Sequence, residues 1–237
     1  ASDVYKRQAL MIQKTAFTLA EVLITLGIIG IVAALTLPTI INNTRGKELQ
    51  SQLLKAYSVL QTAINKMNYD EGQVVNGTNY PAGTFMPVFR KYFISVNDMC
   101  KNSVCENATV EDGVWSYISK TYKTYNNKDC YMSRFDDGQV FINGGMLILV
   151  ENASDYISIS VDVNGHNKKP NRWGHDVFSF EVLENGKLLP MGAPGTTQGN
   201  DYGFSQYCSI TSNTVYNGMA CTYRALTDKD YFKNLPK

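Results

Sequence analysis

From Phe17 to Leu37 the chain reads FTLAEVLITLGIIGIVAALTL, 21 residues of which 15 are apolar and only one, Glu21, is ionisable. As a helix rising about 1.5 Å per residue, this run reaches roughly 32 Å, the thickness of a bilayer's hydrocarbon layer. No other stretch restricts the fold as strongly, and the chain reads as one apolar rod followed by a polar head. The whole is 237 residues long, 44% hydrophobic and 18% charged, with a formal net charge of +1. Those totals exclude a disordered polyampholyte and a nucleic-acid binder driven by charge.

Upstream of the rod lie Lys14 and, further out, Lys6 and Arg7; the first charges downstream are Arg45 and Lys47, beyond Asn42 and Asn43. Retention of the basic leader in the cytoplasm places the C-terminal head outside. A cleaved secretory signal is the rival reading, but its apolar region is usually about 7–15 residues and is followed by a small-x-small site. Here Ala33 and Ala34 fall inside the apolar run, and Pro38-Thr39-Ile40-Ile41 continues into a helix-compatible segment.

The front edge of the rod, Ala16-Phe17-Thr18-Leu19-Ala20-Glu21, precedes an unbroken apolar run containing Gly27, Gly30 and Pro38. This resembles the prepilin cleavage and methylation motif of type IV pilins and type II secretion pseudopilins. The resemblance implies removal of a basic leader between Ala16 and Phe17 by an inner-membrane prepilin peptidase, N-methylation of Phe17, and a role in assembly for Glu21. Two positions depart from the family pattern: Ala16 stands where Gly is usual, and Ala20 where Ile or Val is more common. The resemblance is specific over residues 14–38, fades by about residue 68, and beyond that extends to architecture alone. Residues 1–10 do not fit the leader and read as a non-native extension, with Met11 starting the leader MIQKTA over residues 11–16.

Physical chemistry supports the same assignment. A carboxylate inside a bilayer costs about 2.5–3.5 kcal/mol on insertion scales and normally has a partner. Cleavage after Ala16 creates an amine at Phe17, on nearly the same helical face as Glu21, in its own chain or a neighbouring subunit. Mutual neutralisation between packed helices favours a staggered array. The plainer alternative is an ordinary anchor whose Glu21 lies near the headgroups. Gly27 and Gly30 permit close backbone approach, and Pro38 is expected to kink the helix.

After the transmembrane and assembly helix, residues 17–38, the segment 39–68 is expected to continue it as an amphipathic stem. Leu49, Leu53, Ala56, Tyr57, Leu60, Ala63, Ile64 and Met67 recur at helical spacing. Residues 69–237 form the expected periplasmic or extracellular head. A second amphipathic helix is predicted over Phe85–Val96, and strands over Gln139–Val150, Tyr156–Val163, Val177–Leu183 and Lys187–Pro190. The predicted class is α+β: a long N-terminal transmembrane-plus-amphipathic helix packed on a small antiparallel β-sheet head, a pilin-like lollipop.

All five cysteines lie beyond the rod, which agrees with an exported head in oxidising surroundings. Cys208 and Cys221 resemble the C-terminal disulfide loop of many pilins, and such a pair would contribute about 3 kcal/mol. Among Cys100, Cys105 and Cys130 the favoured pair is Cys100 with Cys105, although connectivity stays open. A zinc site lacks the CxxC spacing. Asp162, Asn164 and Asp176, around one loop, could gather oxygens for Ca²⁺, as sheet-edge loops do in some pseudopilins; Asp-x-Asn-Gly is equally ordinary turn chemistry. His166 and His175 read as solvated turn residues. No cofactor is required by the pattern, and no nucleophile elbow, phosphate loop or zinc-protease motif occurs, so no enzyme is expected.

The expected function is a pilin-like structural subunit, single-pass in the bacterial inner membrane and then part of a type IV pilus or type II secretion pseudopilus. Its implied partners are other pilin-like subunits, the prepilin peptidase, an inner-membrane assembly platform and membrane lipid, with no evident nucleic-acid binding. The alternatives are a single-pass, membrane-anchored periplasmic ligand-binding protein that does not assemble, and a membrane-tethered hydrolase with an unrecognised site.

Overall fold

The computed structural model describes residues 17–94, 97–98, 121–153, 156–199 and 203–236. Residues 1–16, with Ala16, and the pair Cys100 and Cys105 lie outside them. The chain divides into two compact units, 1–42 and 43–237. Helix α1 (Leu19–Asp70, 52 residues) contributes to both and continues through Pro38. Its part in the first unit is apolar surface: over Leu19–Pro38 nothing is buried, and the helix is long and apolar enough to cross a membrane.

In the second unit, α1 buries the face that the periodicity predicts. Leu49, Leu53, Ala56, Leu60, Ala63, Ile64 and Met67 are all buried in one core, where each large aliphatic side chain contributes about 1.5–3 kcal/mol. Tyr57 adds a ring stacked on Phe180 at 5.2 Å. Beyond Asp70 the backbone turns at Gly72, whose φ of +63° is the left-handed conformation that glycine adopts without a Cβ penalty. The last turn is tied down by Asn68, which accepts the Val75 N–H at 2.6 Å and donates to the Gly186 carbonyl at 3.1 Å.

Helix α2 is shorter than expected. It covers Phe85–Phe89 and one 3₁₀ turn, Arg90–Tyr92, before Phe93 becomes extended. Strand β1 (Asn97–Asp98) explains the early exit, because Asn97 must already pair with Phe141 of the sheet. Phe85, Phe89 and Phe93 still pack in series, with centroids 4.6 and 4.9 Å apart.

Strands β2 (Gly138–Phe141), β3 (Leu147–Ala153), β4 (Tyr156–Asp162), β5 (Val177–Val182) and β6 (Leu188–Pro190) follow β1 in an antiparallel sheet in sequential order. The single strand predicted over Gln139–Val150 is therefore a hairpin. Gly144 and Gly145, at φ +98° and +81°, make its turn, and Ile142 closes it by donating to the Met146 carbonyl at 3.0 Å. The helix-plus-sheet arrangement is α+β.

Both faces of the sheet are covered. Alternate residues such as Ile148, Val150, Ile157 and Ile159 meet the α1 core. Leu147 and Leu149 point the other way, into a second cluster with Tyr122, Phe135, Trp173 and Met219. Two short helices, α3 (Gly203–Tyr207) and α4 (Cys221–Thr227), follow the sheet. A Cys208–Cys221 disulfide joins them, with the Cα atoms 5.0 Å apart. Cys130 is a buried free thiol whose pKa burial pushes up to about 12, so it is held as the unreactive thiol.

Candidate functional site

The start of α1 is built by four residues. The Thr18 hydroxyl accepts the Glu21 backbone N–H at 3.2 Å, while Glu21 Oε2 accepts the Thr18 backbone N–H and hydroxyl, each at 2.8 Å. This is a capping box, in which the first and fourth residues satisfy each other's orphan groups at a helix N-terminus. Thr-x-x-Glu is its sequence signature, so Thr18 was legible as a partner of Glu21 although the cleavage motif drew attention elsewhere.

The remaining polar side chains of residues 17–38 are Thr25 and Thr36. Both return their hydroxyls to the helix, at 2.9 Å from the Val22 and Val32 carbonyls. Every polar side chain in the run is thus engaged within the helix, the condition that a hydrocarbon surrounding imposes. An added Cβ at Gly27 or Gly30 would meet nothing within 4 Å in this chain, so both faces are open for an external partner.

The loop after β4 brings together the predicted cation ligands. Asp176 uses both oxygens: Oδ1 accepts the Arg172 N–H at 2.7 Å, and Oδ2 accepts the Asn171 N–H at 2.9 Å and the Asn164 amide at 3.5 Å. Asp162 Oδ2 accepts the Tyr122 hydroxyl at 2.9 Å. Asp162 Oδ1, Asn164 Oδ1 and Asn171 Oδ1 are buried without a hydrogen bond of good geometry. Those three oxygens have the chemistry of hard-cation ligands, whereas Asp176 acts as the loop's cap.

Burial, reinforced by Asp176, raises Asp162 to about 7; the Tyr122 hydroxyl and the N–H groups of Gly165 and Asn164 oppose it. Asp176 is also raised by burial. His175 is not solvated as expected: it is buried against the Tyr125 ring, and burial together with Arg172 lowers its pKa to about 3. Its neutral imidazole is one wall of the loop.

A further polar group was not anticipated. Glu151, Ser158 and Glu181 lie opposite one another across β3, β4 and β5, on the face remote from α1. Their alternation with Val150, Ile157 and Phe180 reads in sequence as a solvent-facing row, but Ser158 and Glu181 are buried and Glu151 is half-buried. Glu181 accepts the Thr197 N–H at 2.7 Å and hydroxyl at 2.9 Å. Glu151 lies 3.9 Å from Arg134, whose guanidinium sits over the Tyr156 and Tyr216 rings at 4.8 and 5.2 Å. The carboxylates of Asp136, Asp137 and Glu151 approach within 4.8 Å of one another. Burial first, then Asp137 and Asp136, raise Glu151 to about 8 despite Arg134.

No family model, curated protein or solved structure matches this chain.

Proposed function

We propose that this chain is a pilin-like structural subunit, inserted in the bacterial inner membrane with its head in the periplasm. It is processed by prepilin peptidase between Ala16 and Phe17, methylated at Phe17, and assembled on an inner-membrane platform into a type IV pilus or type II secretion pseudopilus. The observation that carries this reading is the helix start: a cleavage-type boundary, then the 20-residue span Leu19–Pro38, predominantly apolar, with Glu21 as its one ionisable residue and nothing buried. Such a surface needs a partner outside the chain. Lipid supplies it before assembly, and neighbouring rods supply it in a filament.

Glu21 links the two states. Its capping bonds reduce the cost of a carboxylate in lipid. Leader removal leaves a cationic nitrogen on Phe17, one residue before the Thr18 N–H that Glu21 already accepts, and a neighbouring subunit's amine completes the neutralisation. In a host with the matching assembly machinery, Glu21→Ala is expected to insert normally and to lose filaments. Filaments at the parental level would remove Glu21 from assembly.

We also propose a structural Ca²⁺ in the β4–β5 loop, for which the buried Asp162 Oδ1, Asn164 Oδ1 and Asn171 Oδ1 are the available ligand atoms. Charge neutralisation there would relieve the buried Asp162–Asp176 repulsion. Added Ca²⁺ should raise the unfolding temperature of the parent and not of Asp162→Asn; equal responses would dismiss the site.

A second reading, an anchored ligand-binding protein that never assembles, draws on a cleft of about 380 Å³ bordered by Tyr156, Glu181 and Glu184. Normal processing at Phe17 would count against it.

A further inference from the structure

Gly46 of α1 is buried, and an added Cβ there would lie 3.1 Å from the Phe232 carbonyl oxygen. This close approach brings the C-terminal turn, Tyr231–Lys233, against the helix. Gly46, Lys47, Gln50, Lys229, Phe232 and Lys233 line the cleft that results, of about 380 Å³. Its floor is apolar and fixed, since the Phe232 ring is buried edge-on to Phe178 at 5.9 Å. Its rim is cationic, since Lys47, Lys229 and Lys233 are exposed.

The charge extends beyond the cleft. Arg45 donates to the Lys169 carbonyl, which brings the exposed Lys168 and Lys169 to the same turn of α1. Two acids in the C-terminal segment are engaged: Asp230 pairs with Lys233 at 2.6 Å, and Asp228 with Arg224 at 3.9 Å. Lys47 and Lys229 have no acid within ion-pair distance among the described residues. Gly46 is eight residues beyond Pro38, so only a short stretch of chain links the cleft's own residues to the apolar run.

We propose that this cleft binds the headgroup of an anionic phospholipid, with the phosphate between Lys47 and Lys229, Gln50 as a neutral donor, and the glycerol carbons against Phe232. A lipid, rather than free phosphate, is favoured by the apolar floor and the short tether to the membrane segment. Lysines acting as separate point charges suit a diffuse anionic surface better than a tight fork around one small anion. The inference rests on the membrane-anchored reading of residues 17–38 and needs no filament. Such binding would tie the head to the bilayer that holds the rod.

The test uses the full chain in neutral detergent micelles, with phosphatidylglycerol, phosphatidylcholine or inorganic phosphate added and bound lipid counted by native mass spectrometry. Phosphatidylglycerol should be retained over phosphatidylcholine and released by salt. Lys47→Gln combined with Lys229→Gln should weaken retention about 25-fold, near fivefold for each lysine, and the exposed Lys187→Gln should leave it unchanged. Equal retention by the double variant and the parent would overturn the proposal. Displacement by inorganic phosphate at comparable concentration would also overturn it, by making the cleft a free-anion site. Incorporation of the parent into phosphatidylcholine vesicles is measured alongside. Its failure would bring down the anchoring reading and this proposal together, whereas normal incorporation with no headgroup preference would remove this proposal alone.

Discussion

On the proposed reading Glu21 has two separable jobs: its oxygen caps α1 through Thr18, and its charge pairs with an amine in assembly. Glu21→Gln retains a capping acceptor and removes the charge. If charge pairing drives assembly, filament yield should fall with Glu21→Gln as far as with Glu21→Ala; parental yield from the Gln variant would reduce Glu21 to a cap. Glu151 offers a second test at this scale. Its pKa is raised from 4.5 to about 8, so the folded chain keeps a proton that the unfolded chain has released. Stability from this group is complete below about 4.5 and declines as pH rises toward 8. Glu151→Gln removes that titration, and thermal unfolding should show the variant gaining on the parent across this window. A gap independent of pH would contradict the shift. His175 acts in the opposite direction, with its contribution lost as pH falls from 6.5 toward about 3, and it does so in both proteins.

At the scale of elements, legibility followed the physics of each pattern. The stem half of α1 was readable because Leu49 to Met67 repeat at helical spacing and bury the same face. The β2–β3 hairpin was missed because the apolar run on either side of Asn143-Gly144-Gly145 outweighed a strong turn signal. Helix α2 was overextended because local periodicity cannot register the pairing of Asn97 with Phe141. The row of Glu151, Ser158 and Glu181 was invisible as an interior feature, since strand alternation tells which residues share a face but not whether that face is covered. The C-terminal disulfide was legible only through family resemblance. It closes a 13-residue separation, which the chain-entropy relation converts to about 3 kcal/mol. Cys208→Ser with Cys221→Ser should lower the head's unfolding temperature by roughly 6–12 °C, and reductant should lower the parent's to a similar value. Unchanged melting would show that the link adds nothing.

For the whole molecule, the two units present opposite problems. Residues 43–237 bury a core on each side of the sheet, whereas the apolar helix of the first unit buries nothing over Leu19–Pro38 among the described residues. The second condition was evident from the first 40 residues because length and apolarity alone impose it. What surrounds the rod depends on other molecules, and that part of the account rests on the Ala16-Phe17…Glu21 motif. Intact-mass spectrometry of the chain expressed from Met11, with and without a cognate prepilin peptidase, tests it most directly. The expected result is a peptidase-dependent product that begins at Phe17 and is heavier by one methyl group. An unprocessed chain in the presence of that peptidase would contradict it.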